Sequence, residues 1–336
     1  MIRTLIVDDS PLVRSILKDF LESDGSFQVV GEAENGREGV DLARQLNPDL
    51  ITMNIEMPVM NGLEAIDEIK KIMATAIVVI SCHGSAKTAY EATVKGALEF
   101  YPKDIFTSSM SEQKRKDVLG TLKRITGIKK RVPLSHGQVP AARIEPRRFE
   151  AVVIAASTGG PRALNSLCAK LPRDFPVPVI LVQHNSSGFD RGFAQWLDGS
   201  TELCVELAEE GRVPEKGCLY VAPTDRHLLI GKNGFGFDDG KPVNNQKPAA
   251  DVLFKSASEL YGEALVSVVL TGMGCDGAEG TRYVKRAGGM TIAQDEASSM
   301  VYGMPMSAVE TGCVDLVLSL DVIAQQLSYL IQRGET

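Results

Sequence analysis

The chain has 336 residues, of which 44% are hydrophobic and 24% charged, and a formal net charge of −7. That is the balance of globular protein, with length enough for two domains that each bury a core. The negative charge argues against a nucleic-acid partner, because binding a duplex calls for a basic face that displaces counterions. No apolar run approaches the roughly 20 residues of a membrane-spanning helix, which argues against membrane insertion. Six cysteines (Cys82, Cys168, Cys204, Cys218, Cys275 and Cys313) show no C-x-x-C spacing, so neither a zinc site nor a disulfide framework is expected. The first apolar run stops at Asp8-Asp9, too short for a secretory signal, and the expected location is the cytoplasm.

Taken in chain order, β-rich runs at Thr4–Val7, Phe27–Val30, Leu50–Met53, Ile77–Ile80 and Glu99–Tyr101 alternate with helical patterns at Val13–Glu22, Gly36–Leu46, Gly62–Met73 and Ala86–Lys95. Such β-α repeats with short loops predict a parallel, doubly wound sheet over residues 1–122. Its ligand site belongs at the carboxyl ends of the strands, where the strand order reverses.

Asp8-Asp9, Asn54, Ser81 and Lys103 all fall at those ends. Adjacent carboxylates repel unless a cation lies between them, and hard oxygen ligands suit Mg²⁺. A nearby lysine and hydroxyl suit a phosphoryl group. An Asp-Asp pair alone reads more simply as a helix cap; the full set at successive strand ends does not. Val7-Asp8-Asp9-Ser10, Met57-Pro58-Val59-Met60-Asn61-Gly62 and Tyr101-Pro102-Lys103 resemble the motifs of response-regulator receiver domains, which have a flavodoxin-like fold. The resemblance implies Mg²⁺ held by Asp9, the side chain at 54 and the Glu56 carbonyl, with Asp8 in support. It also implies phosphoryl contacts from Ser81 and Lys103, with Tyr101 as an aromatic switch. The family carries its phosphate on an aspartate where this chain has Asn54, and a neutral amide cannot form an acyl phosphate. Mg²⁺ is therefore expected to bind weakly, and no phosphoryl transfer to position 54 is expected.

Residues 123–149 are expected to form a linker. From Gly127 to Phe149 the apolar periodicity lapses, and Lys129-Lys130-Arg131, Pro133, Pro140, Pro146 and Arg147-Arg148 make a basic, proline-stiffened stretch. So short a charge run reads as solvated rather than as a nucleic-acid-binding arm.

A second α/β pattern fills residues 150–336. Strands are expected at Ala151–Ala155, Val177–Val182, Cys218–Val221, Leu265–Leu270, Met290–Ala293 and Val314–Leu318, with helices at Arg162–Lys170, Ala250–Leu260, Gly277–Ala287 and Asp321–Ile331. Arg226–Asp238, with Gly231-Lys232-Asn233-Gly234 in its middle, predicts a small β-hairpin. The fold class is thus α/β, two doubly wound parallel-sheet domains, the second Rossmann-like.

In this half Ser157 ends an apolar run and precedes Thr158-Gly159-Gly160-Pro161, a tight turn into a helix. The amides of such a turn favour negative charge. A phosphate-binding glycine loop needs the same geometry, so the motif alone is undecided. His184 follows a second strand, and Asp276 follows a third within Thr271-Gly272-Met273-Gly274-Cys275-Asp276-Gly277. Serine needs a base, histidine serves as one, and a carboxylate orients the imidazole. Asp276 also reads as a cap for the helix starting near Gly277. His83, His136 and His227 stand in less favourable places, and Ser186 and Ser187 precede no glycine-rich helix start.

With the receiver-like half attached, Ala156-Ser157-Thr158-Gly159-Gly160, Gln183-His184 and Leu270–Gly277 resemble the chemotaxis-specific protein-glutamate methylesterases. The resemblance implies a serine hydrolase with Ser157 as nucleophile, His184 as general base and Asp276 as orienting acid. Oxyanion donors are expected near Thr158 and Met273, and no cofactor is needed for hydrolysis. It further implies methylated chemoreceptors as substrate, glutamine deamidation as a second activity, and a chemotaxis histidine kinase as phosphodonor to a gating receiver. The rival expectation is a catalytically silent interaction module, in which the Ser-Gly-Gly turn binds a phosphate or a partner.

Overall fold

The computed structural model describes residues 1–81, 86–107, 109–127 and 148–332. Two compact units divide the chain between Val132 and Pro133. Among the described residues no helix is long and apolar enough to cross a membrane. His83 and His136 lie outside the described residues, as does most of the expected linker.

The first unit runs β1 (Ile2–Val7), α1 (Pro11–Glu22), β2 (Phe27–Ala33), α2 (Gly36–Leu46), β3 (Leu50–Met53), α3 (Gly62–Ile72), β4 (Ala76–Ser81), α4 (Ala86–Val94), β5 (Glu99–Pro102) and α5 (Glu112–Gly127). The strands form one parallel sheet in the order β2-β1-β3-β4-β5. β3 and β4 are buried throughout, as parallel strands covered by helices must be. Side-chain caps start the helices. Ser10 accepts the Val13 N–H ahead of Pro11, and Asn35 accepts the Glu38 N–H while the Glu38 carboxylate takes that of Glu34. α5 carries this unit on to Gly127, because fully buried Ile125 packs with Leu119, Leu122 and Phe20 against the sheet.

The second unit runs β6 (Ala151–Ala156), α6 (Gly160–Cys168), β7 (Val179–Gln183), α7 (Asp190–Asp198), β8 (Cys204–Leu207), β9 (Cys218–Val221), β10 (His227–Gly231), β11 (Gly234–Asp238), α8 (Ala250–Tyr261), β12 (Leu265–Val269), α9 (Ala278–Arg286), β13 (Met290–Gln294), α10 (Met304–Glu310), β14 (Leu316–Leu318) and α11 (Leu320–Gln332). Seven parallel strands lie in the order β14-β13-β12-β6-β7-β9-β8, and β10-β11 forms the expected separate hairpin. The chain moves outward from β6 through β7 on one side and from β12 through β13 on the other. The order therefore reverses between β6 and β12, and sheets of this kind bind their ligands at such a reversal, outside the carboxyl ends of the strands. Sequence patterning expects six strands in this sheet and misses the edge strand β8, whose Cys204 is exposed and whose Val205 is the residue that buries. It also misses α7 and the short α10. β7 starts at Val179, after Pro178, which has no N–H to give to the sheet ladder.

Candidate functional site

In the first unit, Asp8, Asn54, Ser81 and Lys103 stand at the carboxyl ends of β1, β3, β4 and β5. The Asn54 N–H donates to the Val7 carbonyl at 2.8 Å, which fixes the β1 and β3 ends side by side. Asp8 is buried; its Oδ1 accepts the Ser10 N–H, and its Oδ2 lies 2.7 Å from Lys103 Nζ. Burial pushes the Asp8 carboxyl above its usual range, against the pull of Lys103. Ser81 is buried, and half-buried Tyr101 sets its ring edge-on to Phe106.

The Asn54 carboxamide is bonded on every side. Its Nδ2 donates to Asp9 Oδ1 at 2.9 Å and to the Glu56 carbonyl at 2.9 Å, and its Oδ1 accepts the Ile55 N–H at 2.9 Å. The reverse orientation of the amide would lose all three bonds. Two of the oxygens that the receiver resemblance assigns to Mg²⁺ are therefore occupied by N–H donors of the third residue, whose own oxygen turns elsewhere. Mg²⁺ demands a near-octahedral shell of oxygens. This arrangement does not fit the cation.

In the second unit, β6 and β7 pair so that Ala156 lies opposite Gln183, which sets Ser157 and His184 one residue past adjacent strand ends. The His184 N–H donates to the Ala156 carbonyl, and the Ser157 N–H donates to the Thr271 carbonyl beyond β12. Gln183 Nε2 ties the two together, donating to the carbonyls of Ser157 (3.1 Å) and His184 (3.0 Å). Thr158, buried, follows Ser157 into the turn that opens α6, and Met273 lies in the loop after β12. That loop packs tightly on the serine: a Cβ at Gly272 would lie 2.8 Å from Ser157 Cβ.

Asp276 reaches His184 from the start of α9, and His184 Nε2 lies 2.8 Å from Asp276 Oδ2. Both side chains are buried. His184 Nδ1 is buried and has no hydrogen-bond partner, and among the described residues no hydrogen bond joins it to Ser157 Oγ. Burial opposes the charge on Asp276. Hydrogen bonds from His184 and from the amides of Ala250 and Asp251 outweigh that penalty and hold its carboxyl below the usual carboxylate range. Asp276 does cap a helix, but chiefly α8, by accepting the Ala250 and Asp251 amides.

Three residues that brace Asp276 or the start of α8 carry no motif in the sequence. Asp251 reads as an ordinary first-turn acid, and Asn244 as one member of an Asn-Asn turn. His227 is buried at the start of β10, where its Nε2 donates to the Lys241 carbonyl and its Nδ1 accepts the Ala249 N–H ahead of α8. It is a structural histidine. Ser187 donates its hydroxyl to Asp225.

Comparison with known proteins finds matches to both units. The family model for CheB methylesterase matches residues 152–327, and that for the response regulator receiver domain matches residues 4–113. The chain is 39% identical to a protein-glutamate methylesterase/protein-glutamine glutaminase of Pyrococcus abyssi, over 96% of this chain and 92% of that protein. It is likewise 39% identical to one from Thermotoga maritima, over 98% of this chain and 99% of the relative. The crystal structure of the Thermotoga maritima CheB methylesterase catalytic domain superposes with a TM-score of 0.53 at 41% identity, covering 54% of this chain and 98% of that one. Full-length similarity to such relatives, on a fold that brings a histidine–aspartate pair to the strand end beside Ser157, shows that the chain belongs to the CheB methylesterase family, with a response regulator receiver domain ahead of the methylesterase domain.

Proposed function

We propose that residues 150–336 hydrolyse γ-methyl esters of glutamate side chains on chemoreceptors, releasing methanol, and deamidate receptor glutamines by the same route. Family membership and the names of the relatives support the substrate class. The observation that carries the mechanism is the His184 Nε2–Asp276 Oδ2 bond, which leaves a buried Nδ1 with no partner. Asp276 holds the ring proton on Nε2, so Nδ1 presents the lone pair of a base. Nδ1 takes the Ser157 Oγ proton as that oxygen attacks the ester carbonyl; catalytic hydrogen bonds of this kind often close only with substrate present. The tetrahedral oxyanion faces the amides of Thr158 and Met273, where loss of one donor typically costs about 10²- to 10³-fold in rate. Collapse returns the proton from Nδ1 to the leaving methoxide. Water, deprotonated by Nδ1, then frees the glutamate carboxylate and restores Ser157. With glutamine the leaving group is ammonia. Every step uses these side chains and water.

Methanol release from methylated receptor by the full chain tests the reading, and Ser157→Ala abolishes it. No release, or release unchanged in Ser157→Ala, would sink it. A fluorophosphonate probe separates an esterase from a silent interaction module, because only an activated Ser157 becomes labelled.

The receiver domain takes no phosphoryl group at position 54, so the family's kinase finds no acceptor carboxylate there. The three hydrogen bonds of the Asn54 amide support this. Intact-mass measurement after incubation with Mg²⁺ and acetyl phosphate is expected to find unmodified chain. A phosphorylated species that vanishes when position 54 is changed would overturn the reading.

A further inference from the structure

α8 and α9 exchange carboxylates at their N-termini. Asp276, just ahead of α9, accepts the Ala250 N–H on Oδ2 (2.6 Å) and the Asp251 N–H on Oδ1 (3.1 Å) from α8. Asp251, in the first turn of α8, accepts the N–H groups of Gly277 (2.9 Å) and Gly280 (2.6 Å) on its Oδ1. The Gly277 N–H is shared and also lies 3.1 Å from Asp276 Oδ1. Both carboxylates are buried, with exposures of 1% for Asp276 and 8% for Asp251, so two like charges share a site with little water. Asn244 stands between them. Its Nδ2 donates to Asp251 Oδ2 at 2.7 Å and to Asp276 Oδ1 at 3.3 Å.

We infer that Asn244 and Asp251 are positioning residues that set, in opposite senses, how strongly Asp276 holds the imidazolium form of His184. Asp251 adds negative charge behind Asp276 and so favours imidazolium. Asn244 aims the positive end of an amide dipole at the same carboxylate and so restrains that pull. Two further titratable side chains bond to Asn244 or to the backbone just ahead of α8. Cys275, beside Asn244 in the loop ahead of α9, has its thiol pushed up by burial and by the two carboxylates, and stays neutral. His227 on β10 has both ring nitrogens bonded to backbone. The two carboxylates themselves diverge: burial and the Asp276 charge push Asp251 up, while Asp276 is held down. Such divergence marks carboxylates with different roles.

This inference rests on the esterase reading, so its test has two arms, both on the full chain. In the first, kcat/KM for methanol release is measured against pH in Asn244→Gly and Asp251→Asn. Glycine keeps the left-handed backbone at position 244 (φ 52°), which alanine would strain. The acid limb, where His184 ceases to be a base, moves up by about half a pH unit or more in Asn244→Gly. It moves down by a similar amount in Asp251→Asn, with KM little changed in either. A merely structural role lowers activity and leaves the limb in place. In the second arm, the His184 ring titration is followed by NMR on ¹³C-labelled histidine, assigned with His184→Gln, and shifts in the same two directions. Where Asp251→Asn fails to fold, Asn244→Gly alone carries the test. A ring titration that stays put, or moves the wrong way, overturns the inference even if Ser157→Ala still abolishes methanol release. A ring titration that shifts as stated in a chain releasing no methanol overturns the esterase reading instead.

Discussion

Gly160 has no room for a methyl group. A Cβ there would lie 2.0 Å from Gln183 Oε1, and the Gln183 amide is held in place by its bonds to the Ser157 and His184 carbonyls. Gly160→Ala therefore expels the amide and releases both strand ends. The expected result is a fall in kcat for methanol release of about tenfold or more, since small misplacements at a site are amplified in rate. An overpacking cost of about 1–3 kcal/mol, read from urea unfolding, accompanies it. Asp276→Asn strikes the chemistry more directly: it replaces one carboxylate oxygen with an N–H donor amid amide donors and disturbs the tautomer of His184. Loss of the corresponding acid in a serine triad costs about 10⁴ in kcat, and a similar fall is expected here with KM little changed. The same variant reads out the pH dependence of stability. The fold holds Asp276 below its ordinary 3.8, so ionised Asp276 contributes stability above that value and loses it as pH falls through the lower folded value. Thermal unfolding midpoints measured toward acid are expected to fall less steeply in Asp276→Asn than in the parent chain.

At the scale of elements, α8 starts with its donors satisfied from a distance: Ala249 N–H by His227, and the Ala250 and Asp251 amides by Asp276. His227→Leu leaves the Ala249 N–H buried without its acceptor, while the carbonyl of exposed Lys241 turns to water. A cost of about 1–3 kcal/mol is expected. Urea unfolding followed through Trp196, the single tryptophan, checks it, because that residue is buried in the second unit. This helix start also shows what a sequence conceals. Strands buried on both faces announce themselves as apolar runs, and α2, β3 and β9 have the bounds that the patterning predicts. Ser157, His184 and Asp276 are legible as strand-end residues because each follows such a run, at or next to the reversal of strand order. Asn244, Asp251 and His227 are not, because their partners lie 7 to 32 residues away and nothing local distinguishes them from a turn, a first-turn acid and a strand residue. β8 and α10 escaped for a different reason. The first buries one side of an edge strand, and the second is only 7 residues long, so neither sustains a period.

Across the whole molecule, the proposal that Asn54 keeps this receiver domain unphosphorylated has consequences that are electrostatic before they are regulatory. Asn54 supplies two N–H donors to oxygens that would otherwise crowd together, and Lys103 pairs with Asp8, so hydrogen bonds and one ion pair hold the pocket's oxygens in place. Asn54→Asp removes both donors and adds a third carboxylate beside Asp8 and Asp9. In metal-free buffer the first unit of that variant is therefore expected to unfold at a lower temperature than the parent. Mg²⁺ binds the folded pocket and not the unfolded chain, so millimolar Mg²⁺ restores the loss in proportion to RT ln(1 + [L]/Kd), about 2.7 kcal/mol at a hundredfold excess over Kd. The parent chain, whose oxygens already accept N–H donors, shows no such rescue. Differential scanning calorimetry of both chains with and without Mg²⁺ decides this. The functional counterpart uses the same pair: with Mg²⁺ and acetyl phosphate, methanol release changes in Asn54→Asp and stays level in the parent. A parent chain whose unfolding temperature and methanol release both respond to these additions would mean that the Asn54 amide yields to the cation, and that the carboxylate is dispensable for control.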